Sequence, residues 1–264
     1  MADALFRLDG DRFVPDDLTR GPWAPDAMHG GPVAALLARA GERVEAPGPM
    51  HPARLTVELL RPVRLVPLTV ESRVLRPGKK VQWVEIRMTA DGTEVARATM
   101  LRIRSADIPW PSHTAGGSTA RPFDGPEARA PVTAPWSGDS PPAYHSTATE
   151  HRVVRGTWGT IGPSTDWIRV RLPIVAGETP TPLQRVAAVA DFGNGISSAV
   201  PYESHRFINA DLTLTLHRLP ATEWVCLDAT TYPERHGVGV AESILYDERG
   251  RIGHAAQVLL LEPW

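Results

Sequence analysis

A carboxylate at Asp191 stands where the local pattern asks for an apolar residue, and it is the strongest candidate for chemistry. It lies four and eight residues after Ala187 and Leu183, on a predicted helix face that should point into the core. Burying a lone carboxylate is costly, so it must be paired, hydrogen-bonded or placed at a wet cavity. There it could act as a general base on water. The alternative is a carboxylate that bonds backbone groups at the helix end, before Gly193-Asn194-Gly195.

Two amide side chains are the next candidates, because each interrupts or opens a predicted strand. Gln257 lies within residues 253–261, a run that is apolar on both faces as a central strand would be. Asn209 opens a predicted strand over residues 209–212. An amide can both donate to and accept from a water molecule. Gln257 could equally satisfy a buried backbone group, and Asn209 could simply be turn chemistry.

The motif His29-Gly30-Gly31-Pro32 precedes an apolar run with helical spacing and is the fourth candidate. Two glycines allow a ligand to approach the backbone closely. The amides of a helix N-terminus favour a developing negative charge. The motif therefore predicts a substrate-binding role for His29, Gly30 and Gly31, although a simple turn before a helix explains it about as well.

Signatures of other catalytic sites are missing from the sequence. There is no Gly-x-Ser-x-Gly nucleophile motif, no glycine-rich phosphate loop after a strand and no dinucleotide fingerprint. The histidines lack the pairing and the cysteine neighbours that metal sites require. Cys226 lies in an apolar strand and is interpreted as a core residue. We therefore expect neither a metal nor a cofactor.

The composition is that of an ordinary globular chain of 264 residues, 42% hydrophobic and 22% charged, with a formal net charge of −2. This balance gives no electrostatic footprint for nucleic acid. No apolar stretch approaches the roughly 20 residues that a membrane-spanning helix needs. A single cysteine excludes a disulfide framework. The expected compartment is the cytoplasm.

A proline-rich stretch divides the chain into two parts. Eight prolines fall between Asp107 and Ser146, mixed with Ser, Gly and Ala and without apolar periodicity. Residues 106–146 are therefore predicted to form a linker on the outside of the molecule. The flanking residues 1–105 and 147–264 are predicted to be two modules.

The predicted elements follow the same order in both modules. The first opens with a hairpin around Asp9-Gly10, then a helix with Pro32 at its first position and Gly48 after its end, then four strands. The second has a helix over residues 182–191, with Thr181 as its N-cap, again followed by strands.

The two modules are predicted to be an internal duplication. Leu55-Thr56-Val57 matches Leu212-Thr213-Leu214 at an offset of 157 residues, and Asp91-Gly92 matches Arg249-Gly250 at an offset of 158. The second offset makes Thr99 the counterpart of Gln257, so any site at Gln257 exists in one module only.

One long helix followed by four or more antiparallel strands predicts an α+β fold in which a helix lies on a sheet. A sheet wrapped around a central helix is the hotdog fold, and two such modules in one chain make a double hotdog, with the two sheets forming one surface. Two ferredoxin-like or other α+β sandwiches are the alternative.

The sequence resembles the thioesterase superfamily, and more closely the type II acyl-CoA thioesterases. The resemblance covers nearly the whole chain except the linker. It is carried by the His-Gly-Gly helix opening and by three short segments of the second half: Leu183-Gln184-Arg185 with Ala190-Asp191-Phe192, Phe207 to Leu212, and Ala255-Ala256-Gln257.

This resemblance implies a double-hotdog enzyme that hydrolyses an acyl-CoA thioester. The family's catalytic set is an Asp on the second helix, a Thr or Ser at the start of the next strand, and a Gln on the last strand. Carried over, these are Asp191, Asn209 and Gln257, with Asn209 departing from the hydroxyl residue. We expect Asp191 to activate a water that the two amides orient. Coenzyme A enters as part of the substrate, and a homo-oligomer is expected.

Two other functions remain open at this stage. A non-catalytic acyl-CoA or acyl-chain binding module would explain the replacement of the hydroxyl residue by Asn209. A hotdog of the enoyl-CoA hydratase type would use an Asp and a His, which Asp26 and His29 supply, but the Asn-Pro pair of that class is missing. The acyl chain length and the arginines that contact coenzyme A are not predictable from the sequence.

Overall fold

The structure, a computed structural model, describes residues 3–132 and 141–264. The chain contains three α-helices in these residues: α1 Gly30–Glu42, α2 Pro182–Ala190 and α3 Gly193–Ile196. The thirteen strands are β1 Phe6–Asp9, β2 Arg12–Pro15, β3 Met50–Leu59, β4 Leu68–Arg76, β5 Val81–Ala90, β6 Thr93–Arg104, β7 Thr149–Arg155, β8 Ser164–Val170, β9 His205–Asn209, β10 Asp211–Leu216, β11 Val225–Pro233, β12 Val238–Asp247 and β13 Gly250–Pro263.

All thirteen strands belong to one antiparallel sheet. Its order is β1-β2-β4-β5-β6-β3-β10-β13-β12-β11-β8-β7, and β9 also pairs with β13. The first six strands come from the first half of the chain and the others from the second half, so the two halves meet where β3 pairs with β10. The two modules therefore share one continuous sheet.

The pairing of β3 with β10 reveals an approximate twofold axis. Thr56 lies directly opposite Thr213, and the two threonines are themselves counterparts in the repeat, 157 residues apart (213 − 56). A residue that pairs with its own counterpart lies on the axis of the repeat. The same offset relates Leu68–Arg76 to Val225–Pro233 (225 − 68).

The offset of 158 predicted for the last strands is wrong by one residue. Val95 and Ile252, which are 157 residues apart (252 − 95), are the residues at which the ladders of β6 and β13 shift by one position. The offset of 157 therefore continues through both strands. It makes Met100 the counterpart of Gln257, and it pairs Thr99 with Ala256 instead.

The helices α1 and α2 pack antiparallel against each other on one face of the sheet. Their close approach depends on Gly31, because a Cβ there would lie 2.3 Å from the carbonyl oxygen of Ala188. The C-terminus of α1 correspondingly meets the N-terminus of α2, where Thr181 donates to Glu42. The axis that relates the sheets thus also relates the helices.

The ends of the helices differ in part from the prediction. Thr181 is the N-cap of α2, as predicted, and accepts from the backbone N–H of Gln184 at 3.2 Å. His29 caps α1, which places Pro32 at the third helical position and not the first. The helix ends at Glu42, well before Gly48, because Arg102 and the following loop bind the carbonyls of its last turn.

The end of the predicted linker lies in the core. Ala143 and Tyr144 are buried, and Tyr144 donates to the carbonyl oxygen of Ala188 at 2.8 Å. Phe123, earlier in the same stretch, packs against Trp167. Residues 133–140 of this stretch lie outside the described residues. The described residues of this stretch form no strand, as the proline content predicts. The proline content did not predict that aromatic residues would anchor the segment on the second module.

Candidate active site

Asp191 forms the C-cap of α2, immediately before the short helix α3. Its carboxylate is only 5% exposed, and it lines the cavity described below. The pattern predicted this burial, because Asp191 continues the face of α2 that packs into the core. A buried carboxylate requires compensating donors, and the structure supplies them from three separate segments of the chain.

Two of these donors are the amides of Asn209 and Gln257. Asn209 Nδ2 lies 2.9 Å from Asp191 Oδ1, and Gln257 Nε2 lies 3.1 Å from the same oxygen. Gln257 Nε2 also lies 3.2 Å from the backbone oxygen of Asp191, while its Oε1 accepts from the N–H of Asn194 at 3.0 Å. The three candidates of the second module therefore converge on one carboxylate oxygen.

Asn209 reaches this position from a different element than predicted. It ends β9 instead of opening β10, because the chain breaks its ladder at Ala210, between the two strands. Its Nδ2 also donates to the backbone oxygen of Asp211 at 3.1 Å, across this break. The break thus turns the Asn209 side chain toward Asp191.

The other carboxylate oxygen, Oδ2, faces the start of α1. His29 Nδ1 lies 2.8 Å from Asp191 Oδ2. A Cβ on Gly30 would lie 2.6 Å from the same oxygen, so only glycine leaves room for the carboxylate. The predicted substrate-binding motif of the first module and the predicted base of the second module therefore form a single site.

His29 Nδ1 has two neighbours that make opposite demands on it. The N–H of Gly31 lies 3.1 Å from this nitrogen and requires it to accept, whereas Asp191 at 2.8 Å requires it to donate. A ring nitrogen does one or the other, depending on its proton. When Nδ1 is protonated it bonds to Asp191, and the Gly31 amide is then released.

Several residues around the site were not predicted from the sequence. The ring centroid of Phe192 lies 4.7 Å from that of His29 and 5.0 Å from that of His151. His151 Nδ1 lies 2.7 Å from Asp166 Oδ2 in a fully buried pair. Burial and the nearby Asp191 carboxylate raise the pKa of Tyr144. Phe192 directly follows Asp191, whereas Tyr144, His151 and Asp166 come from β7, β8 and the segment before them, and no local pattern links these three to α2.

A cavity of about 440 Å³ opens beside Asp191. Its walls are mostly apolar, and four aromatic rings form one side: Trp23, Tyr202, Phe207 and Trp264. Arg61 and Arg206 also line it. A mostly apolar cavity with a few convergent polar groups is the usual form of a small-molecule site.

Other proposed chemistry finds no support in the described residues. Asp26 pairs with Arg64 on the surface, while His29 contacts Asp191, so Asp26 and His29 do not form a pair. Cys226 is fully buried, and burial raises the pKa of its thiol. Within residues 3–132 and 141–264, no three His, Cys, Asp or Glu side chains are grouped to hold a metal ion. No helix there is long and apolar enough to cross a membrane.

Comparisons with protein families match both halves of the chain. Residues 19–103 match the model of the acyl-CoA thioesterase N-terminal domain, and residues 119–261 match that of the acyl-CoA thioesterase C-terminal domain. The search of curated proteins finds no match.

Solved structures match over almost the full length. A conserved protein of unknown function with a hot dog fold from Alicyclobacillus acidocaldarius is 18% identical, with a TM-score of 0.73 and coverage of 98% of this chain and 97% of that one. The tesB protein of Mycobacterium avium subsp. paratuberculosis is 15% identical (TM-score 0.67; 98% and 96% covered). An acyl-CoA thioesterase II of Mycobacterium marinum is 14% identical (TM-score 0.64; 98% and 94% covered). At these identities the matches establish the fold, and the predicted double hotdog is confirmed.

Proposed function

The chain belongs to the acyl-CoA thioesterase family, and from this membership we propose that it hydrolyses an acyl-CoA thioester to a carboxylic acid and free coenzyme A. The observation that carries the proposal is the buried carboxylate of Asp191, which is held by two amides on one oxygen and lies beside an apolar cavity. Such a carboxylate is suited to act as a general base on a water molecule.

The two amides support a positioning role more than the water-orienting role expected from the sequence. Both donate to Asp191 Oδ1, so these N–H groups are already engaged. Asn209 can occupy the place of a family hydroxyl residue because it supplies the donor that the carboxylate needs. The proton of the attacking water is then taken by the less occupied oxygen, Oδ2.

The N-terminus of α1 offers backbone N–H donors for the negative charge that develops on the substrate. Hydroxide adds to the thioester carbonyl carbon, and the negative charge that develops on its oxygen needs donors. The donors would come from the N-terminus of α1, where Gly30 lines the cavity and the N–H of the buried Gly31 is released when His29 Nδ1 donates to Asp191. One such donor is worth roughly 3 kcal/mol of transition-state stabilisation.

The leaving group requires little help. The carbon–sulfur bond breaks as the carbonyl re-forms, and coenzyme A departs as a thiolate. Its parent thiol resembles free cysteine, with a pKa of about 8.5. The proton taken by Asp191 then passes to the products, which returns the base to its starting state. No separate general acid is needed.

The cavity suggests how the substrate binds. The acyl group would occupy the apolar space beside Trp23 and Phe207, while Arg61 and Arg206 lie where they could meet the coenzyme A phosphates. The cytoplasmic location and the homo-oligomer stay predictions, to be checked by fractionation and by light scattering.

Release of free thiol from a panel of acyl-CoA esters tests the proposal. We expect saturable hydrolysis by the wild-type protein and a loss of at least 100-fold with Asp191→Asn. Hydration of an enoyl-CoA without thiol release would point to a hydratase. Saturable binding of acyl-CoA with no turnover at any chain length would point to a binding module and would overturn the proposal.

A further inference from the structure

A second cleft, of about 550 Å³, lies at the opposite end of the β3–β10 pair from the candidate active site. It is open to solvent and lies between the last residues of β6 and the residues just after β10. Its lining includes His51, Ile103, Arg104, His217, Arg218 and Leu219.

This cleft is the counterpart of the active-site cavity in the repeat. Shifted by the offset of 157, Leu59 to Pro62 of the cavity become Leu216 to Leu219 of the cleft. The same shift takes Leu260 to Ile103 and Ile208 to His51. The approximate twofold axis therefore relates two concave sites, of which only one carries Asp191.

The inner part of the second cleft lacks the polar residues of the candidate active site. Pro52 and Met100 stand at the counterparts of Asn209 and Gln257. The buried Arg102 donates to the carbonyl oxygens of Gly41 and Val44, and so its side chain closes the end of α1. No acyl cavity beside a positioned carboxylate remains here.

The outer part of the cleft carries hydrogen-bond donors and one arginine, Arg104, that is not neutralised. Arg104 and His217 are exposed on its two sides. Burial and the charge of Arg218 lower the pKa of His217, although a hydrogen bond with the backbone of Arg251 acts in the opposite direction. His217 therefore offers a neutral ring with one N–H donor near pH 7. Arg218 is neutralised by the fully buried Asp247. In the described part of the chain, neither Arg104 nor Arg251 has a carboxylate at ion-pair distance. At two equivalent positions the active-site cavity has the apolar residues Leu60 and Ile208, whereas the cleft has His217 and His51.

We propose that this cleft is a non-catalytic binding site for a phosphorylated nucleotide, such as the adenosine 3′,5′-bisphosphate portion of coenzyme A. Arg104 and His217 would contact the phosphates, while Ile103 and Leu219 offer an apolar surface to the base. The affinity for phosphate follows from the unpaired guanidinium of Arg104 and the ring N–H of His217. The preference for this nucleotide rests on the proposed function, because the cleft is the repeat counterpart of the proposed acyl-CoA site.

Titration calorimetry with adenosine 3′,5′-bisphosphate tests the site on the full chain without reference to turnover. We expect binding that weakens at least tenfold with Arg104→Gln and with His217→Gln, both exposed positions whose substitution leaves the fold intact. Arg7→Gln, which removes an exposed arginine from the distant edge strand β1, is the matched control and should bind like the wild type. Hydrolysis of acyl-CoA should be unchanged in all three variants.

Inorganic pyrophosphate distinguishes the two parts of the proposal. Equal affinity for pyrophosphate and the nucleotide would retain the phosphate site but overturn the nucleotide preference. If Arg104→Gln and His217→Gln bind the nucleotide as tightly as Arg7→Gln does, the cleft is not a binding site. Failure of hydrolysis alongside normal nucleotide binding would reject the proposed function and leave the phosphate site standing.

Discussion

Gly30 and Asp191 are in such close contact that a Cβ on the glycine would lie 2.6 Å from the carboxylate oxygen Oδ2. The two residues are separated by most of the chain, one at the start of α1 and the other at the end of α2. Their contact depends on the antiparallel packing of the two helices, so the proposed base of the second module is positioned by the backbone of the first.

Gly30→Ala should therefore disable the site without unfolding the protein. The added methyl group must displace the Asp191 carboxylate, and misplacing a catalytic group by about 1 Å can cost roughly 100-fold in rate. Gly41→Ala in the same helix is the control, since its Cβ meets only the ends of two side chains, Met100 and Ile86, and alanine has the higher helix propensity. We expect kcat/KM to fall about 100-fold in the first variant and to stay near normal in the second. Equal losses would assign the effect to helix stability.

Asp191→Asn should remove the proposed base while keeping its contacts. The amide oxygen can still accept from Asn209 and Gln257, and the new NH2 group can donate to His29 Nδ1. We expect hydrolysis to fall by roughly 10²–10⁴-fold, with a change of less than about 1 kcal/mol in the free energy of unfolding. Thermal unfolding and thiol release should be measured on one preparation. A destabilised variant that keeps full activity would show that Asp191 serves only as a helix cap.

Gln257→Met places at this position the residue that its repeat counterpart carries, and it removes both hydrogen bonds that Gln257 donates to Asp191. The carboxylate would lose one of its two amide donors on Oδ1, so kcat/KM should fall at least tenfold while the substitution fills similar volume. Thr99→Ala on the equivalent strand of the first module is the control and should leave hydrolysis unchanged. Similar losses in both variants would mean that the equivalent strand of the first module also contributes to hydrolysis.

The sequence revealed the site mainly through polar residues in apolar surroundings. Asp191 and Gln257 could be singled out because each interrupts a helical or strand pattern, and such interruptions carry a physical cost unless they are compensated. His29 and Gly30 were found through helix-start chemistry. No sequence pattern could predict that His29 and Gly30 contact Asp191, because that contact depends on the packing of α1 against α2.

The errors have equally local causes. The sequence suggests an alignment of the repeat that is wrong by one residue, because Arg249-Gly250 in the turn after β12 resembles Asp91-Gly92. The paired residues show instead that Ala90 corresponds to Asp247. Asn209 was assigned to the wrong strand because the break at Ala210 has no glycine or proline to mark it. The anchoring of Tyr144 was missed because the prolines around it dominate the local composition.

His145 should make the stability of the protein depend on pH in the acidic range. Burial, together with the nearby His29 and His151, lowers the pKa of His145 from 6.5 to about 3. Between these values the unfolded chain binds a proton at His145 that the folded chain does not, so the free energy of unfolding falls as the pH falls. Over this range the free energy of unfolding falls by at most about 1.4 kcal/mol per pH unit. Above pH 6.5 His145 is unprotonated in both states, and none of this stability is lost.

Urea unfolding of the wild type and of His145→Gln, at several pH values between 6.5 and 4, measures this contribution. Glutamine does not titrate, so the free energy of unfolding of the variant should decline less steeply toward low pH than that of the wild type. His236→Gln, at an exposed turn, is the control and should follow the wild-type slope. The comparison uses slopes and not absolute stabilities, because replacing a buried ring also changes packing by an amount that does not vary with pH. Parallel lines for the wild type and His145→Gln would mean that His145 takes up its proton equally in the folded and unfolded chains.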